Sequence, residues 1–199
     1  MDWERIAAYE PDVDVEEDRE AAVLVPVITR SDGEYLLFTK RADHLGEHPG
    51  QMSFPGGGRE PSDESLEATA RREAHEEIGL LPETADIVGR LDDIQTITNY
   101  AVRPFAARIP DQDYVPDERE VAQIVTLPIS ALTDLDNYES EKRDHDYYGE
   151  VRIHFFRVDG YTVWGATGRM LVQFLELAMG WEMPPEADRT VDPDAEYPV

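Results

Sequence analysis

The segment from Asp63 to Ile78 constrains this chain most, because it predicts a helix whose core-facing side also carries charge. At about 100° per residue, Leu66, Ala70, Ala74 and Ile78 form one apolar stripe. Such a stripe has to pack against another element of the fold. Carboxylates that project close to it are therefore brought to the edge of a core, where water compensates them less well than on an open surface.

Three glutamates crowd this side of the helix. Glu73, Glu76 and Glu77 lie at spacings of three and four residues, where like charges repel. The end of a helix also disfavours anions, and Arg71 and Arg72 neutralise only part of the cluster. A divalent cation removes the conflict, and an oxygen-only ligand set favours Mg²⁺ or Mn²⁺. The alternative is a solvated acidic face on an acidic protein.

A run of three glycines, Gly56 to Gly58, leads into this helix. Glycine permits unusual backbone angles and lets a ligand approach the main chain closely. We expect Ser62 to be the N-cap residue and Gly79 to end the helix. Three glycines alone would suit an ordinary turn, but beside the glutamates they favour a ligand site.

The remaining pattern predicts a layered α/β domain with mixed strands and few helices. The Ser31-Asp32-Gly33 turn predicts a hairpin between the first two strands. The expected strands are 21–29, 34–39, 86–91, 94–98, 102–109, 121–127 and 151–158, and further helices are expected at 128–132 and 168–179.

Charge divides the chain into three parts. Residues 1–20 are expected to be an acidic lead-in, residues 21–181 the folded domain, and residues 182–199 a frayed, acidic tail rich in proline. The chain carries 44 acidic and 18 basic residues, a net charge of −26. This field disfavours nucleic acid and anionic lipid as main partners. It also favours a halophilic cytosol, where high salt screens self-repulsion.

Cysteine and long apolar stretches are both missing. The absence of cysteine excludes disulfides, thiolate metal sites and cysteine nucleophiles. The longest apolar run, residues 21–28, is too short for a membrane span. The amino-terminal residues carry no secretion signal, so we expect no membrane partner and a cytoplasmic location.

The glycines and glutamates together resemble a complete Nudix box. The matching positions are Gly58, then five residues, Glu64, then seven residues, and Arg72-Glu73-Ala74-His75-Glu76-Glu77-Ile78-Gly79-Leu80. The resemblance implies the Nudix fold, an α/β/α sandwich with a mixed β-sheet in which the box forms a loop–helix–loop. It also implies a Mg²⁺- or Mn²⁺-dependent hydrolase of a nucleoside diphosphate linked to another group.

The same resemblance implies roles for the box residues. Glu73, Glu76 and Glu77 would bind metal, and Glu73 would also serve as the base. Glu64 and Arg72 would buttress the loop. Further metal ligands are expected at two positions, the carbonyl of Gly58 and an acid outside the box, for which Glu120 is the candidate and Glu118 the alternative.

Segments outside the box resemble the coenzyme A diphosphatase branch of the family. These are residues 36–42, residues 50–57 and Trp164-Gly165-Ala166-Thr167, although Gly46 stands where the branch usually has Arg. The resemblance implies a small nucleotide-type substrate, coenzyme A or acyl-CoA, cleaved to 4′-phosphopantetheine and adenosine 3′,5′-bisphosphate. The expected substrate-binding residues are Lys40, Arg41, Arg59, Gly56 and Gly57.

Two alternatives stay open for the function. One is a Nudix pyrophosphatase for ADP-ribose, dinucleoside polyphosphates or damaged nucleotides. The other is a non-catalytic nucleotide-sensing domain, a class that often lacks box acids, whereas every box acid is present here. Relatives are often dimers, so a homodimer is possible.

Several other residues suggest chemistry but have simpler explanations. His44 and His48 are expected to be exposed turn residues, and Tyr100 and Phe105 core residues of strands rather than base-stacking groups. Asp144-His145-Asp146 is expected to be a solvated turn rather than a metal site.

Overall fold

A computed structural model describes residues 1–13, 19–42, 44, 50–96, 99–145 and 149–197. Within these ranges the helices are α1 (Trp3–Ala7), α2 (Leu66–Ile78), α3 (Ile129–Leu132) and α4 (Gly165–Met179). The strands are β1 (Arg19–Arg30), β2 (Gly33–Arg41), β3 (Met52–Ser53), β4 (Gly56–Gly58), β5 (Asp86–Arg90), β6 (Ile94–Gln95), β7 (Tyr100–Ile109), β8 (Val121–Pro128), β9 (Tyr138–His145), β10 (Gly149–Val158), β11 (Tyr161–Val163) and β12 (Arg189–Val191).

The larger sheet is mixed and centres on β1. Its main path runs β3-β2-β1-β7-β5, with β4 on β1, β6 on β7 and β8 on β2. β1 and β7 are parallel, and the other pairs in this sheet are antiparallel. Because successive side chains of a strand point to opposite faces, Ala22 and Leu24 pack with α2, whereas Val25 and Val27 join the core that contains α4. Helices on both faces confirm the predicted α/β/α sandwich.

The structure corrects the expected start of the central helix. α2 begins at Leu66, and its N-cap is Ser65, whose hydroxyl accepts a hydrogen bond from the Ala68 amide at 3.1 Å. Ser62 and Asp63 lie in the preceding turn, where the carboxylate of Asp63 accepts a hydrogen bond from the Glu60 amide instead. Gly79 ends the helix with φ of +70°, as predicted.

The smaller sheet has the order β11-β10-β9-β12, and the sequence pattern predicted only β10 of its strands. β9 was missed because it buries ions as well as the apolar ring of Tyr138: Glu141 and Arg143, on the opposite face of the strand, are buried and paired at 2.8 Å. The interpretation of residues 144–146 as a turn is wrong for Asp144 and His145, which belong to β9, and Asp146 lies outside the described residues.

Both flanking segments contain regular structure. β12 pairs in parallel with β9, and the guanidinium of Arg143 donates hydrogen bonds to the carbonyls of Pro193 and Ala195. The expectation of a frayed tail is therefore wrong for this segment, because ionic and main-chain contacts replace apolar periodicity. At the other end, α1 buries Ile6 in the α4-side core. The division of the chain at residues 20 and 181 stays a prediction.

The described helices are too short or too polar to cross a bilayer.

Candidate active site

The glycine strand β4 lets the central helix approach the sheet. β4 pairs with β1, and a side chain at Gly56 would lie 2.3 Å from the carbonyl oxygen of Ala22. A Cβ on Gly57 would lie 2.5 Å from the Oε1 atom of Glu73. The predicted close approach to the backbone is thus made by a box carboxylate, which lies directly against β4.

Four candidate metal-binding glutamates line one open cleft of about 590 Å³, which Glu60 also lines. Glu73, Glu76 and Glu77 reach it from α2, and Glu120 reaches it from the turn before β8. The main chain holds this turn in place, since the carbonyl of Glu120 accepts a hydrogen bond from the Ala42 amide at 2.9 Å. The structure therefore brings Glu120 to the box acids, whereas Glu118 is exposed and does not line the cleft.

Two of these carboxyls are held where the charged form is disfavoured. Burial, helped by the nearby charges of Glu73 and Glu120, raises the pKa of Glu77 to about 8 against a hydrogen bond and the charge of Arg41, which both lower it. That bond comes from the Gly56 amide to Oε2 at 3.2 Å. Burial also raises the pKa of Glu73, although the guanidinium of Arg72 lowers it. A cation in the cleft would relieve both groups.

Arg72 connects the helix to the loop before it. Its Nη1 donates to Glu73 at 3.0 Å and to Glu76 at 2.8 Å, and its Nη2 donates to the Gly58 carbonyl at 2.9 Å. Nε and Nη2 also donate to the two carboxylate oxygens of Asp63, and this contact holds the pKa of Asp63 well below its usual range. Arg72 thus buttresses the loop, as the resemblance implies.

The partner of Arg72 is Asp63 rather than the predicted Glu64, which is exposed. Sequence reasoning missed Asp63, because two adjacent acids in a loop give no signal as to which one turns inward. A catalytic role for Glu64 stays a prediction.

The donor set fits a hard divalent cation. All of the candidate side chains offer carboxylate oxygens, and Glu77 is half-buried with no arginine or lysine paired to it among the described residues. The carboxylates are not gathered into one ligand sphere, however: within the described part of the chain no three acidic or histidine side chains form a ready-made metal site. Arg72 holds Glu73 and Glu76 instead.

The expected substrate residues divide into three groups. Arg41, Gly56 and Gly57 line the carboxylate cleft. Arg59 lies in an adjoining cavity, where it pairs with Glu20. Lys40 does not line this cleft in the described structure, whereas its neighbour in β2, Arg41, does.

The other residues of interest have ordinary positions, with one exception. Phe105 belongs to the α2-side core, as expected, but Tyr100 is half-buried and lines the cleft. His44 is an exposed turn residue. His48 and Gly46 lie outside the described residues.

Comparisons with known proteins agree with this geometry. The NUDIX domain family profile matches residues 18–148. A protein of Enterobacter sp. (strain 638) called uncharacterized Nudix hydrolase NudL is 39% identical over 171 residues, covering 84% of this chain and 86% of the relative. The protein of the same name from Cronobacter sakazakii is 37% identical over 166 residues, covering 81% and 83%. The chain therefore belongs to the Nudix family and is a Nudix hydrolase.

A solved structure supports the fold. A Nudix hydrolase from Nitrosomonas europaea superposes with a TM-score of 0.54 at 14% identity, covering 92% of this chain and 81% of the other. At this identity the likeness establishes the architecture alone. The family membership places the substrate among nucleoside diphosphate derivatives, the compounds on which Nudix hydrolases act.

Proposed function

We propose that this enzyme hydrolyses the diphosphate of coenzyme A or acyl-CoA, with Mg²⁺ or Mn²⁺, to 4′-phosphopantetheine and adenosine 3′,5′-bisphosphate. The observation that carries the proposal is the composition of one cleft. Its walls combine the box glutamates with Gln51, Ser53 and Phe54, which come from the segment that resembles the coenzyme A diphosphatase branch. A sequence resemblance and a catalytic geometry thus coincide in space.

The parts of this branch resemblance also meet one another. β3 pairs with β2 through Thr39 and Ser53, and the rings of Phe38 and Phe54 stack at 4.8 Å. Gly165 lies at the start of α4, and a Cβ on it would lie 3.5 Å from the side-chain Nε2 atom of Gln51. Segments far apart in sequence therefore support one wall of the cleft, which favours a shared role in substrate binding.

In this proposal the box residues divide the work. Glu73, Glu76, Glu77 and Glu120, with the Gly58 carbonyl, hold the divalent cation. When bound, that cation supplies Lewis acidity to the diphosphate oxygens. Arg41 faces the substrate from the cleft wall.

Glu73 accepts a proton from the attacking water, and its raised pKa suits a general base. Water oxygen forms a bond to phosphorus, the bridging P–O bond breaks, and the leaving phosphate takes the electron pair. Arg72 positions Glu73 and Glu76 and is itself held by Asp63.

A substrate panel tests the proposal. Coenzyme A, acetyl-CoA, ADP-ribose and diadenosine tetraphosphate are incubated with the enzyme and Mg²⁺, Mn²⁺ or EDTA, and products are identified by mass spectrometry. We expect coenzyme A compounds to give the highest kcat/KM, with no turnover in EDTA. Faster cleavage of ADP-ribose or of the dinucleotide would redirect the proposal to another Nudix substrate. Tight nucleotide binding without turnover would indicate a sensor.

Each assay is run at low and at high KCl, because a net charge of −26 favours folding where self-repulsion is screened. The halophilic character stays a prediction, and a melting temperature that does not rise with KCl would contradict it.

A further inference from the structure

A second cavity adjoins the carboxylate cleft. It encloses about 450 Å³ and shares Gly58, Glu60 and Tyr100 with the cleft, so the two spaces lie side by side. Its position relative to the reaction centre is fixed by hydrogen bonds. The Gly58 carbonyl accepts from Arg72, which in turn contacts Glu73. A substrate held at the carboxylates can therefore extend into this second cavity.

Two arginines bring positive charge to this cavity, which three acidic residues also line: Glu20, Glu60 and Asp63. Asp63 is already paired with Arg72. Arg19 lies over the ring of Tyr100, 4.0 Å from the centroid, and donates a hydrogen bond to its hydroxyl. Within the described residues Arg19 forms no ion pair with a carboxylate. Arg59 does have such a partner, since its Nη1 lies 2.7 Å from Glu20 Oε2.

The pair between Arg59 and Glu20 is easily exchanged. Both side chains are exposed, and exposed ion pairs contribute little to stability. A phosphate offers a guanidinium two parallel, charge-assisted hydrogen bonds and more charge than one carboxylate. Glu20 therefore occupies Arg59 in the free protein in the way that a bound phosphate would. Elsewhere the acidic surface repels anions, so a phosphate gains most where arginines face it.

We propose that Arg19 and Arg59 bind a phosphomonoester of the substrate that is remote from the scissile diphosphate. The inference rests on the proposed function, because coenzyme A carries such a group on its ribose, the group that remains as the 3′-phosphate of adenosine 3′,5′-bisphosphate. The cavity thereby selects coenzyme A over dephospho-coenzyme A, which has the same diphosphate but lacks this phosphate. Arg19 and Arg59 determine specificity and take no part in the cleavage itself.

Kinetics with the two substrates test the proposal. The wild type is expected to have a kcat/KM at least ~10-fold higher for coenzyme A than for dephospho-coenzyme A. In the double variant Arg19→Gln/Arg59→Gln this ratio should fall to near one, mainly through the KM for coenzyme A. Equal kcat/KM values in the wild type, or a ratio that survives in the variant, would overturn the inference while leaving the proposed function intact.

The chain offers a matched control for the variant. Arg30 lies at the opposite end of β1 from Arg19, stacks on Tyr35 at 4.6 Å and pairs with Asp111 at 3.0 Å. Arg30→Gln removes one positive charge, as each single change in the double variant does, together with similar contacts, and it should leave the substrate ratio unchanged. A similar fall in the control would assign the effect to overall charge and would overturn the inference.

Direct binding keeps the two proposals separable. Calorimetry in EDTA compares adenosine 3′,5′-bisphosphate with 5′-AMP, whose only difference is the second phosphate. The wild type should bind the bisphosphate at least ~10-fold more tightly, and the double variant should lose this preference. If the enzyme cleaved neither coenzyme A compound, the proposed function would fail, but this binding measurement would still test the inference. Equal affinities of the wild type for the bisphosphate and for 5′-AMP would contradict it.

Discussion

Two clusters of acidic side chains in this protein differ in how completely arginines pair with them. In the smaller sheet, Glu141 is fully buried and contacts Arg143 at 2.8 Å and Arg189 at 3.0 Å. Glu139 beside it pairs with Arg189 and with Arg157. In the cleft, the guanidinium of Arg72 pairs with Glu73 and Glu76 only, and Glu77 has no ion pair among the described residues.

The difference separates charge that serves folding from charge that serves chemistry. In the smaller sheet, arginines pair with both glutamates, and these ion pairs connect β9, β10 and β12. Where compensation is incomplete, burial raises the pKa of the carboxyls and the site gains from a cation that the chain does not supply. The residue types are the same, so the local balance of charge decides the role.

The largest expected effect comes from breaking the compensated cluster. Arg143→Met should lower the free energy of unfolding by about 3–5 kcal/mol, because it leaves Glu141 buried without its closest partner. Urea denaturation measures the loss. The control Arg108→Met removes an exposed pair with Asp86 and should change stability by no more than about 1 kcal/mol. Equal effects of the two variants would show that the buried network is not structural.

The next effect concerns the uncompensated cluster. Glu77→Gln keeps the size of the side chain but removes a charge, and turnover should fall at least ~10²-fold with folding intact. Steady-state kinetics with saturating Mg²⁺ measures the loss, and circular dichroism checks the fold. Glu67→Gln, which breaks a pair with Arg71 away from the cleft, is the control and should keep turnover. Near-normal activity of the Glu77 variant would refute its assignment.

A smaller effect is expected from the close contact between β4 and α2. Gly57→Ala places a methyl group 2.5 Å from Oε1 of Glu73, so the carboxylate must move and kcat should fall by roughly 10-fold. Gly58→Ala is the steric comparison, because its Cβ would meet only the Tyr100 ring at 3.8 Å. Initial rates of both variants show which substitution lowers activity more. A larger loss at position 58 would contradict the steric argument.

The last prediction concerns a dependence of stability on pH. Between about pH 4.5 and about 8, unfolding releases the proton that the folded protein keeps on Glu77, so the metal-free protein should lose stability as the pH rises. A divalent cation competes with that proton, and the rise in melting temperature on adding Mn²⁺ should be larger at pH 8 than at pH 5. Thermal scans with Mn²⁺ or EDTA measure both trends. If a Glu77→Gln variant lost stability with rising pH as steeply as the wild type, another group would be responsible for this dependence.

The same contrast explains what the sequence could predict. The central helix and its glutamates were predictable, because an apolar stripe with charge beside it is a local pattern. The strand β9 was not, since Glu141 and Arg143 are charged although they are buried, so the sequence shows no apolar alternation there. β12 was missed because its partner, β9, lies almost fifty residues earlier in the chain. A pairing over that distance leaves no local sequence pattern.

Within the site, the choice between neighbouring residues was the hard part. Ser65 and Ser62 both suit an N-cap, and Asp63 and Glu64 both suit Arg72. Only the path of the turn between β4 and α2 decides which one faces inward. Glu120 was predictable from the family pattern, and the structure adds that its turn borders the cleft.

The position of Arg72 has a practical consequence for anyone who dissects this enzyme. One side chain ties the loop at Gly58 and Asp63 to the acidic side of α2 at Glu73 and Glu76. Replacing Arg72 would loosen this loop and the glutamates of α2 together, so affinity for substrate and turnover would both change. Arg72 is therefore a poor choice for separating these two quantities, and Asp63, which contacts the loop, the Arg72 guanidinium and Thr69 but none of the cleft glutamates, is a better one.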